Sequence, residues 1–309
     1  MRMLFLSQRF LLPMDTGGKI RTGKILEQLT KTNDVTLISN VESPKDDSYV
    51  AEMPRFSHDF LAVPWKEVPK YSWKFFVRLL VQIFSRYPVS VLNSSSDNLR
   101  FILEQEASQR HVYDVIICDF VQSALEFRNI QRIPTVLFQH NVESVIAKRH
   151  MLQTNNPVAK LFWWLQWQKM FRFEQKACQS FDTVIAVSEK DKETFESLYH
   201  LKNVETIPTG VDIDFFRPNP TVSVDNRDIV FCGSMDWLPN DNAAMYFIND
   251  ILPRIKKNIP DCHFTVVGRN PSPLLQKLAE QRSDVAITGW VEDIRPYLWR
   301  GAVVIVPIR

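Results

Sequence analysis

An adjacent glycine pair, Gly17-Gly18, stands between a first apolar run, Met3–Ser7, and a helix-like segment, Ile20–Leu29. Glycines let the backbone approach a ligand closely, and the following helix offers free N–H groups and a positive dipole end. The pair therefore indicates a site for a diphosphate or for the oxygen-rich face of a sugar. The chain lacks GxGxxG, and no acidic residue ends the second strand, Val35–Ser39, which weakens a dinucleotide interpretation. A plain tight turn is the structural alternative.

A histidine follows another apolar strand. His140 is the second residue after the predicted strand Thr135–Phe138. Because ligands of open α/β sheets bind beyond the carboxyl ends of strands, this position favours a functional role. A neutral imidazole there could hydrogen-bond a hydroxyl or support developing positive charge at a reacting carbon. A structural histidine is equally compatible with the pattern, and Asn141 and Glu143 could be a helix cap and a helix start.

A second glycine turn, Gly233-Ser234, ends a strand in the second half of the chain and precedes a helix, for which we predict Asn240 as the N-cap. Such a turn suits a phosphate. No Arg or Lys occurs between Gly233 and Asn249, so we take Arg269, after Gly268, and Arg309, at the terminus, as the basic candidates. An ordinary strand-to-helix loop is the alternative.

The elements that must position these residues alternate between apolar strands and helices in both halves. We expect helices near 121–128 and over 240–257, and a less regular region at 42–110. This alternation predicts an α/β protein with two Rossmann-like, doubly wound sheets. We place an N-terminal domain at 1–206, a linker at 207–218 and a C-terminal domain at 219–309. The linker contains Ile207-Pro208-Thr209-Gly210, and two nucleotide-type folds joined by such a hinge imply a ligand held in the cleft between them.

Composition excludes several classes of protein. The 309 residues include 37 Lys and Arg against 35 Asp and Glu, so no strong basic excess supports nucleic-acid binding. Four scattered cysteines without CxxC fit a reduced, cytosolic setting. No metal-ligand spacing, GxSxG or Walker A motif occurs, and we predict no metal.

Two apolar segments raise the question of a membrane. Neither Phe75–Phe84 nor Leu161–Trp167 reaches the roughly 18 apolar residues that a spanning helix needs. The aromatic and basic segment Lys160–Lys176 is better explained as a core or domain-packing helix, with docking on anionic lipid as the alternative. The apolar run at Met1–Leu12 is predicted to be a first strand rather than a signal peptide, because Gln8 and Arg9 interrupt it.

Taken in order, these segments resemble the retaining glycosyltransferases of the GT4 family, which have the GT-B fold. The matching pieces span nearly the whole chain: Gly17-Gly18 with Arg21, His140-Asn141-Val142-Glu143, Ala186-Val187-Ser188, Ile207–Asp212 with Phe216, Phe231-Cys232-Gly233-Ser234-Met235, and Thr288-Gly289-Trp290-Val291 with Asp293 and Val306-Pro307. The resemblance implies that Gly17, Gly18 and His140 lie at the reaction centre. It also implies that Gly233 and Ser234 lie near the donor diphosphate and the turn Trp290-Val291 near the base.

The chain departs from the family pattern in two places. The basic pair that many members place after the Gly233-type turn is replaced by Met235–Asn242, so the leaving-group charge needs another partner. A pair of glutamates eight positions apart, which normally holds the ribose and the donor sugar, would fall beyond Arg309. We therefore expect the second domain to be incomplete and the chain to be a truncated glycosyltransferase.

The resemblance implies transfer of a sugar, with retention, from a nucleotide-diphosphate sugar to a glycan or lipid-linked acceptor. We expect a role in polysaccharide biosynthesis in the cytoplasm, with peripheral contact at the inner face of the membrane as one alternative. The nucleotide sugar would be a co-substrate, and no further cofactor is expected. The other functions left open are a nucleotide-sugar epimerase of the same fold and a catalytically silent sugar-nucleotide-binding subunit.

Overall fold

The structure is a computed structural model that describes residues 1–66, 68–69, 72–109, 112–130 and 132–308. The chain divides into two compact units, Met1–Gly210 and Val211–Arg309. The division falls inside the segment 207–218 that the sequence marks as a linker.

Within its described residues, the first unit has a seven-stranded parallel sheet in the order β3-β2-β1-β4-β5-β6-β7. The strands are β1 Arg2–Ser7, β2 Asp34–Val41, β3 Asp59–Pro64, β4 Val115–Asp119, β5 Thr135–Phe138, β6 Thr183–Ala186 and β7 Val204–Thr206. The inner strands are almost continuously buried because helices cover both faces of a parallel sheet.

Helices connect these strands. They are α1 Gly17–Leu29, α2 Trp73–Ile83, α3 Val89–Ser94, α4 Asp97–Ser108, α5 Glu143–Gln153, α6 Pro157–Ser180 and α7 Glu189–Tyr199, with 3-10 helices at Asp47–Arg55 and Val121–Phe127. Side chains alternate along β1, so that Leu4 and Leu6 join one core layer while Phe5 joins the layer on the opposite face with Leu26 of α1. The sheet therefore lies between two apolar layers.

The strand order reverses between β1 and β4. The chain builds outward from β1 through β2 to β3, and it then returns to place β4 on the other side of β1. At such a switch point the loops after the two strands run to opposite faces of the sheet and leave a crevice beyond their carboxyl ends. The residues that follow β1, β4 and β5 are therefore the ones best placed to meet a ligand.

In the part of the second unit that is described, four parallel strands run in the order β10-β9-β8-β11. They are β8 Asp225–Cys232, β9 His263–Val267, β10 Val285–Ile287 and β11 Gly301–Val304; the helices are α8 Leu238–Tyr246, α9 Leu252–Ile255, α10 Pro273–Glu280 and α11 Arg295–Arg300, with a π-helical turn at Phe247–Ile251. The core of this unit gathers Phe231, Phe264 and Val266 from the sheet with Phe247 and Leu275 from the helices.

Three local predictions need correction. Asn240 is not an N-cap: α8 begins at Leu238 with Trp237 before it, because Pro239 suits the first turn of a helix. The single helix expected over 240–257 is three segments, since Pro253 cannot supply an N–H and a π turn precedes it. The helix expected near 121–128 is a 3-10 helix.

No helix in the described ranges is long and apolar enough to cross a bilayer. The aromatic segment 160–176 lies in α6, where Met170, Phe173 and Glu174 are buried. The burial of these three side chains fits the interpretation of the segment as a core or domain-packing helix.

Candidate active site

The crevice at the switch point of the first unit centres on Asp119, the last residue of β4. Its buried carboxylate accepts hydrogen bonds at Oδ2 from the hydroxyls of Ser7, at the end of β1, and Thr22, in α1, at 3.2 and 3.0 Å. Burying a carboxylate is costly unless it is hydrogen-bonded, and these two hydrogen bonds offset that cost. Asp119 thereby joins β1, β4 and α1.

His140 lies beside Asp119. Its Nε2 is 2.7 Å from Asp119 Oδ1, and the side chain is only 7% exposed. In the neutral ring, the carboxylate selects the tautomer that carries the proton on Nε2, which leaves Nδ1 as a hydrogen-bond acceptor. The ring stacks on Phe120 with centroids 3.7 Å apart and meets the edge of Phe138 at 5.0 Å. The orientation of His140 is thus fixed by one hydrogen bond and two aromatic contacts.

The Phe120 ring is held by an unusual backbone and by a glycine. Phe120 has φ of 66°, a positive value that is rare and costly for a bulky residue. A Cβ added at Gly18 would lie 2.8 Å from the tip of the Phe120 ring, whereas one added at Gly17 would have no described atom within 4 Å. Both glycines belong to the first turn of α1. The space at Gly18 is filled by protein, whereas Gly17 is exposed and has open space beside it.

Arg21 lies one turn further along α1. Its guanidinium lies 4.3 Å above the Phe138 ring and donates to the carbonyl oxygen of Ile207 at 2.6 Å. Burial lowers the pKa of Arg21, and the nearby charge of Asp119 opposes that shift. Arg21 therefore anchors the segment after β7 to the same crevice.

The loop after His140 is anchored by a buried acid of α6. Glu174 accepts the backbone N–H groups of Glu143 and Ser144 at 2.9 Å each and the hydroxyl of Tyr199 at 2.6 Å. A carboxylate at the N-terminus of α5 complements the helix dipole. Burial raises the pKa of Glu174, and its hydrogen bonds from Tyr199 and the two amides lower it. Sequence reasoning missed this residue, because nothing in a long aromatic helix marks one glutamate as the cap of another helix.

The pKa of the Glu143 carboxyl group is also shifted. Burial, and then the charge of Glu174, raise its pKa to about 7, while Arg9 and hydrogen bonds from Gln122 and Asn141 oppose the shift. A carboxyl group with that pKa can hold or release a proton near neutral pH. It lies three residues after His140 in the sequence.

A cavity of about 480 Å³ opens at the carboxyl ends of β1 and β2. Its lining includes Gln8, Arg9, Asn40, Trp65, Phe75 and Arg78. Lys19 and Lys45 also line it, so four cations meet two carboxylates, those of Glu42 and Asp46. The side chains that line the cavity therefore have a net positive charge and include aromatic rings.

In the second unit, the loops after β8 and β9 meet closely. Gly268 follows β9 with φ of 154°, and a Cβ there would lie only 1.7 Å from the carbonyl oxygen of Gly233. The amide of Gly233 donates to Val267, and that of Met235 donates to Arg269. These two amides are therefore committed within the protein, which alters the expectation that backbone N–H groups of this turn are open to a phosphate.

Ser234 and Arg269 come together at this junction. Arg269 Nε donates to Ser234 Oγ at 3.0 Å, and its Nη2 lies 3.6 Å from Asp236. A hydrogen bond from Ser234 is the main cause that lowers the pKa of Asp236, with Asn270 and Arg269 contributing. The loop after Gly233 contains no basic residue. The loop after β9 supplies one, Arg269, which the sequence analysis also gave as a candidate.

The turn after β10 lies further away along the sheet. Trp290 is 72% exposed and follows Gly289, whose φ is 69°. Val291 is half-buried. Because β9 lies between β10 and β8, this turn is two strands away from Ser234, which follows β8. The predicted donor residue Arg309 lies outside the described residues.

The fold has known relatives. The structure is similar to that of a mutant of S. aureus TarM in complex with fondaparinux, alpha-GlcNAc-glycerol and UDP, at 9% identity and a TM-score of 0.64, covering 98% of this chain and 80% of that one. It is also similar to an E. coli structure described as trehalose-6-phosphate bound with UDP-2-fluoro glucose, at 12% identity and a TM-score of 0.53, covering 100% and 79%. These likenesses define the fold class as GT-B, with two Rossmann-like units.

Sequence comparison gives the family. The model for Glycosyltransferase Family 4 matches residues 25–215, and a model described as Glycosyl transferases group 1 matches residues 226–309. The chain belongs to Glycosyltransferase Family 4. His140 and Asp119 lie in the first matched range, Ser234 and Arg269 lie in the second, and the Gly17-Gly18 pair precedes both.

A curated relative is an uncharacterized 44.6 kDa protein in the cps region of Klebsiella pneumoniae. It is 21% identical over 235 residues, which make up 71% of this chain and 58% of the relative. The matched region therefore spans about 58% of the length of that relative.

Proposed function

We propose that this protein transfers a sugar from a nucleotide-diphosphate sugar to a glycan or lipid-linked acceptor with retention of the anomeric configuration. The observation that carries the proposal is the His140–Asp119 pair at the switch point of the first unit, in a chain that belongs to Glycosyltransferase Family 4. The nucleotide sugar would be the co-substrate, and we propose no further cofactor.

His140 would act on the transferred sugar. Its neutral ring, held through Nε2 by Asp119, would offer Nδ1 to a sugar hydroxyl. The imidazole, polarised by that carboxylate, would support positive charge that develops at the anomeric carbon as the leaving group departs. Asp119 would be a positioning residue, because it acts through the imidazole.

Ser234 and Arg269 would receive the diphosphate. Arg269 contacts Ser234 and Asp236, and the contact with Asp236 is a partly exposed ion pair that contributes little stability. Exchanging Asp236 for a phosphate oxygen would therefore cost little free energy and would give a charge-assisted hydrogen bond to the leaving group. In the first unit, Gly17 at the N-terminus of α1 would allow a ligand to approach the backbone closely.

The acceptor would occupy the cavity beside β1 and β2. Arg9, Lys19, Lys45 and Arg78 give it a cationic excess that suits a phosphate or carboxylate group, and Trp65 and Phe75 can pack against a sugar ring. An anionic glycan or a lipid-linked phosphate has both features.

The relatives suggest the first donors to test, because two of them are described in complex with UDP or a UDP-linked sugar. The full chain is incubated with labelled UDP-glucose or UDP-N-acetylglucosamine and with acceptors extracted from membranes. UDP release and label in the acceptor support transfer, and NMR of the new anomeric proton tests retention. Absence of both transfer and hydrolysis across nucleotide sugars would contradict the proposal. Conversion of the donor into another nucleotide sugar without an acceptor would identify an epimerase.

A further inference from the structure

The helix α2 presents its apolar side chains to solvent. Its exposed apolar residues, together with the residue that follows its last turn, recur at the spacing of one helical face: Trp73, Phe76, Val77, Leu80, Val81 and Phe84. Their exposed fractions run from 44% for Val77 to 89% for Phe84. A helix of a globular protein normally turns such a stripe toward the core. Here the orientation is reversed, and a contiguous apolar surface of this kind marks an interaction site.

The contacts of the opposite face hold α2 in this orientation. Arg78 Nη2 donates to the carbonyl oxygen of Leu92 at 3.1 Å, and Lys169 Nζ of α6 donates to that of Ile83 at 2.6 Å. Gln82 is buried on the same side, and Phe75 and Arg78 line the cavity beside β1 and β2. The side of α2 that carries Arg78 and Gln82 is therefore the packed side.

The charge around the stripe has one sign. From Val68 to Ser96 the sequence contains four cationic residues and no Asp or Glu. Lys74 and Arg86 are exposed at the two ends of α2. Apolar and aromatic side chains flanked by cations are the combination that binds an anionic lipid surface. A helix of 11 residues, about 16 Å long, can lie in that surface but not cross it.

We propose that the outward face of α2 docks this protein on an anionic bilayer, with Trp73, Leu80, Val81 and Phe84 in the interface and Lys74 and Arg86 at the headgroups. Because Phe75 and Arg78 of the same helix line the cavity, docking brings the lipid surface next to it. The proposal assigns the membrane contact to α2, whereas the sequence offered lipid docking of the aromatic segment in α6 only as the alternative to core packing. Membrane docking is a property separate from glycosyl transfer, and it does not depend on catalytic turnover.

The test is co-sedimentation of the full chain with vesicles made of equal parts phosphatidylcholine and phosphatidylglycerol, compared with phosphatidylcholine alone. We expect binding to the anionic vesicles that weakens with added salt. The double variant Leu80→Ser/Phe84→Ser should bind at least roughly tenfold more weakly, because it removes two inserted apolar groups. The control Ile259→Ser/Leu274→Ser, with Leu274 exposed to 64% against 63% for Leu80, should bind like the parent.

Circular dichroism checks that each variant is folded, and Lys74→Glu tests the charge separately on an exposed side chain, with weaker binding expected. Three results would overturn the proposal: no sedimentation of the parent with anionic vesicles, equal loss in both double variants, or equal binding to neutral vesicles. Analytical ultracentrifugation in which the parent is a dimer and Leu80→Ser/Phe84→Ser a monomer would instead assign the stripe to a second copy of the chain.

Discussion

The Nε2 atom of His140 lies 2.7 Å from Oδ1 of Asp119, a contact between residues 21 positions apart in the sequence. It exists because β4 and β5 are neighbours in the sheet, so that the residues after both strands emerge side by side. The same carboxylate reaches back to Ser7 and Thr22 through its other oxygen. One buried acid therefore fixes the position of the histidine relative to β1 and α1.

Asp119→Asn should reduce both activity and stability. An amide nitrogen in place of Oδ2 would face the hydroxyl donors of Ser7 and Thr22, so we expect the free energy of unfolding to fall by about 1–3 kcal/mol. We expect kcat to fall about tenfold or more, since the histidine tautomer is no longer fixed. Urea unfolding and steady-state kinetics measure the two effects.

The matched control is Asp34→Asn, because Asp34 faces the exposed His58 at 3.9 Å. It should leave both quantities unchanged. Equal losses in the two variants would show that the Asp119–His140 contact has no special role.

The two glycines of α1 should respond differently to alanine. In Gly18→Ala the new Cβ would lie 2.8 Å from the Phe120 ring, so the ring and the stacked His140 must shift. We expect a loss of about 1–3 kcal/mol in urea unfolding. Gly17→Ala has open space and a helical position, so it should be neutral or stabilising by up to about 1 kcal/mol. Similar stability of the two variants would contradict the packing of Gly18 against Phe120.

Glu143 should make stability fall with rising pH. Its folded pKa of about 7 lies above the ordinary glutamate value of 4.5, so the folded state keeps a proton that the unfolded state loses. The contribution of Glu143 to the unfolding free energy is therefore largest below pH 4.5 and declines as pH rises to about 7, by up to about 3 kcal/mol. Glu143→Gln should remove this slope in urea unfolding measured across that range.

Glu189→Gln is the control for that pH series, because Glu189 is exposed in the first turn of α7. It should keep the slope of the parent. An unchanged slope in Glu143→Gln would show that another group accounts for the pH dependence.

Arg269→Ala should weaken nucleotide binding. Loss of one charge-assisted hydrogen bond to a phosphate corresponds to roughly a tenfold increase in the Kd for UDP, measured by calorimetry. Arg282→Ala is the control, since Arg282 is a similarly exposed arginine that pairs with Asp284. Equal UDP affinity in both variants would exclude Arg269 from the diphosphate site.

The apolar runs of the sequence predicted most of the strands, because strands buried on both faces need nearly continuous apolar residues. The edge strand β3 was missed, since it is only partly buried and lies in the irregular region 42–110. The short helix α3 in the same region was missed as well. Where an element lies at an edge, its sequence carries a weaker pattern.

Several site residues could be located by their place at the ends of strands, but the contacts between them could not. Asp119 ends a buried strand and carried the same signal as His140, and it could have been found on that ground. Glu174 and Phe120 act through contacts that depend on helix packing and on strained backbone, which no local pattern reveals. Gly18 could be recognised as special, although its space is filled by the Phe120 ring.

The most direct test of the proposed function is His140→Ala, measured for turnover and for donor binding in the same preparation. We expect kcat for sugar transfer to fall by about a hundredfold or more, while the Kd for UDP stays within about twofold of the parent. His58→Ala, at an exposed histidine, should leave both unchanged. Transfer at the parental rate in His140→Ala, with the fold intact by circular dichroism, would contradict the role of His140 and Asp119 as the reaction centre.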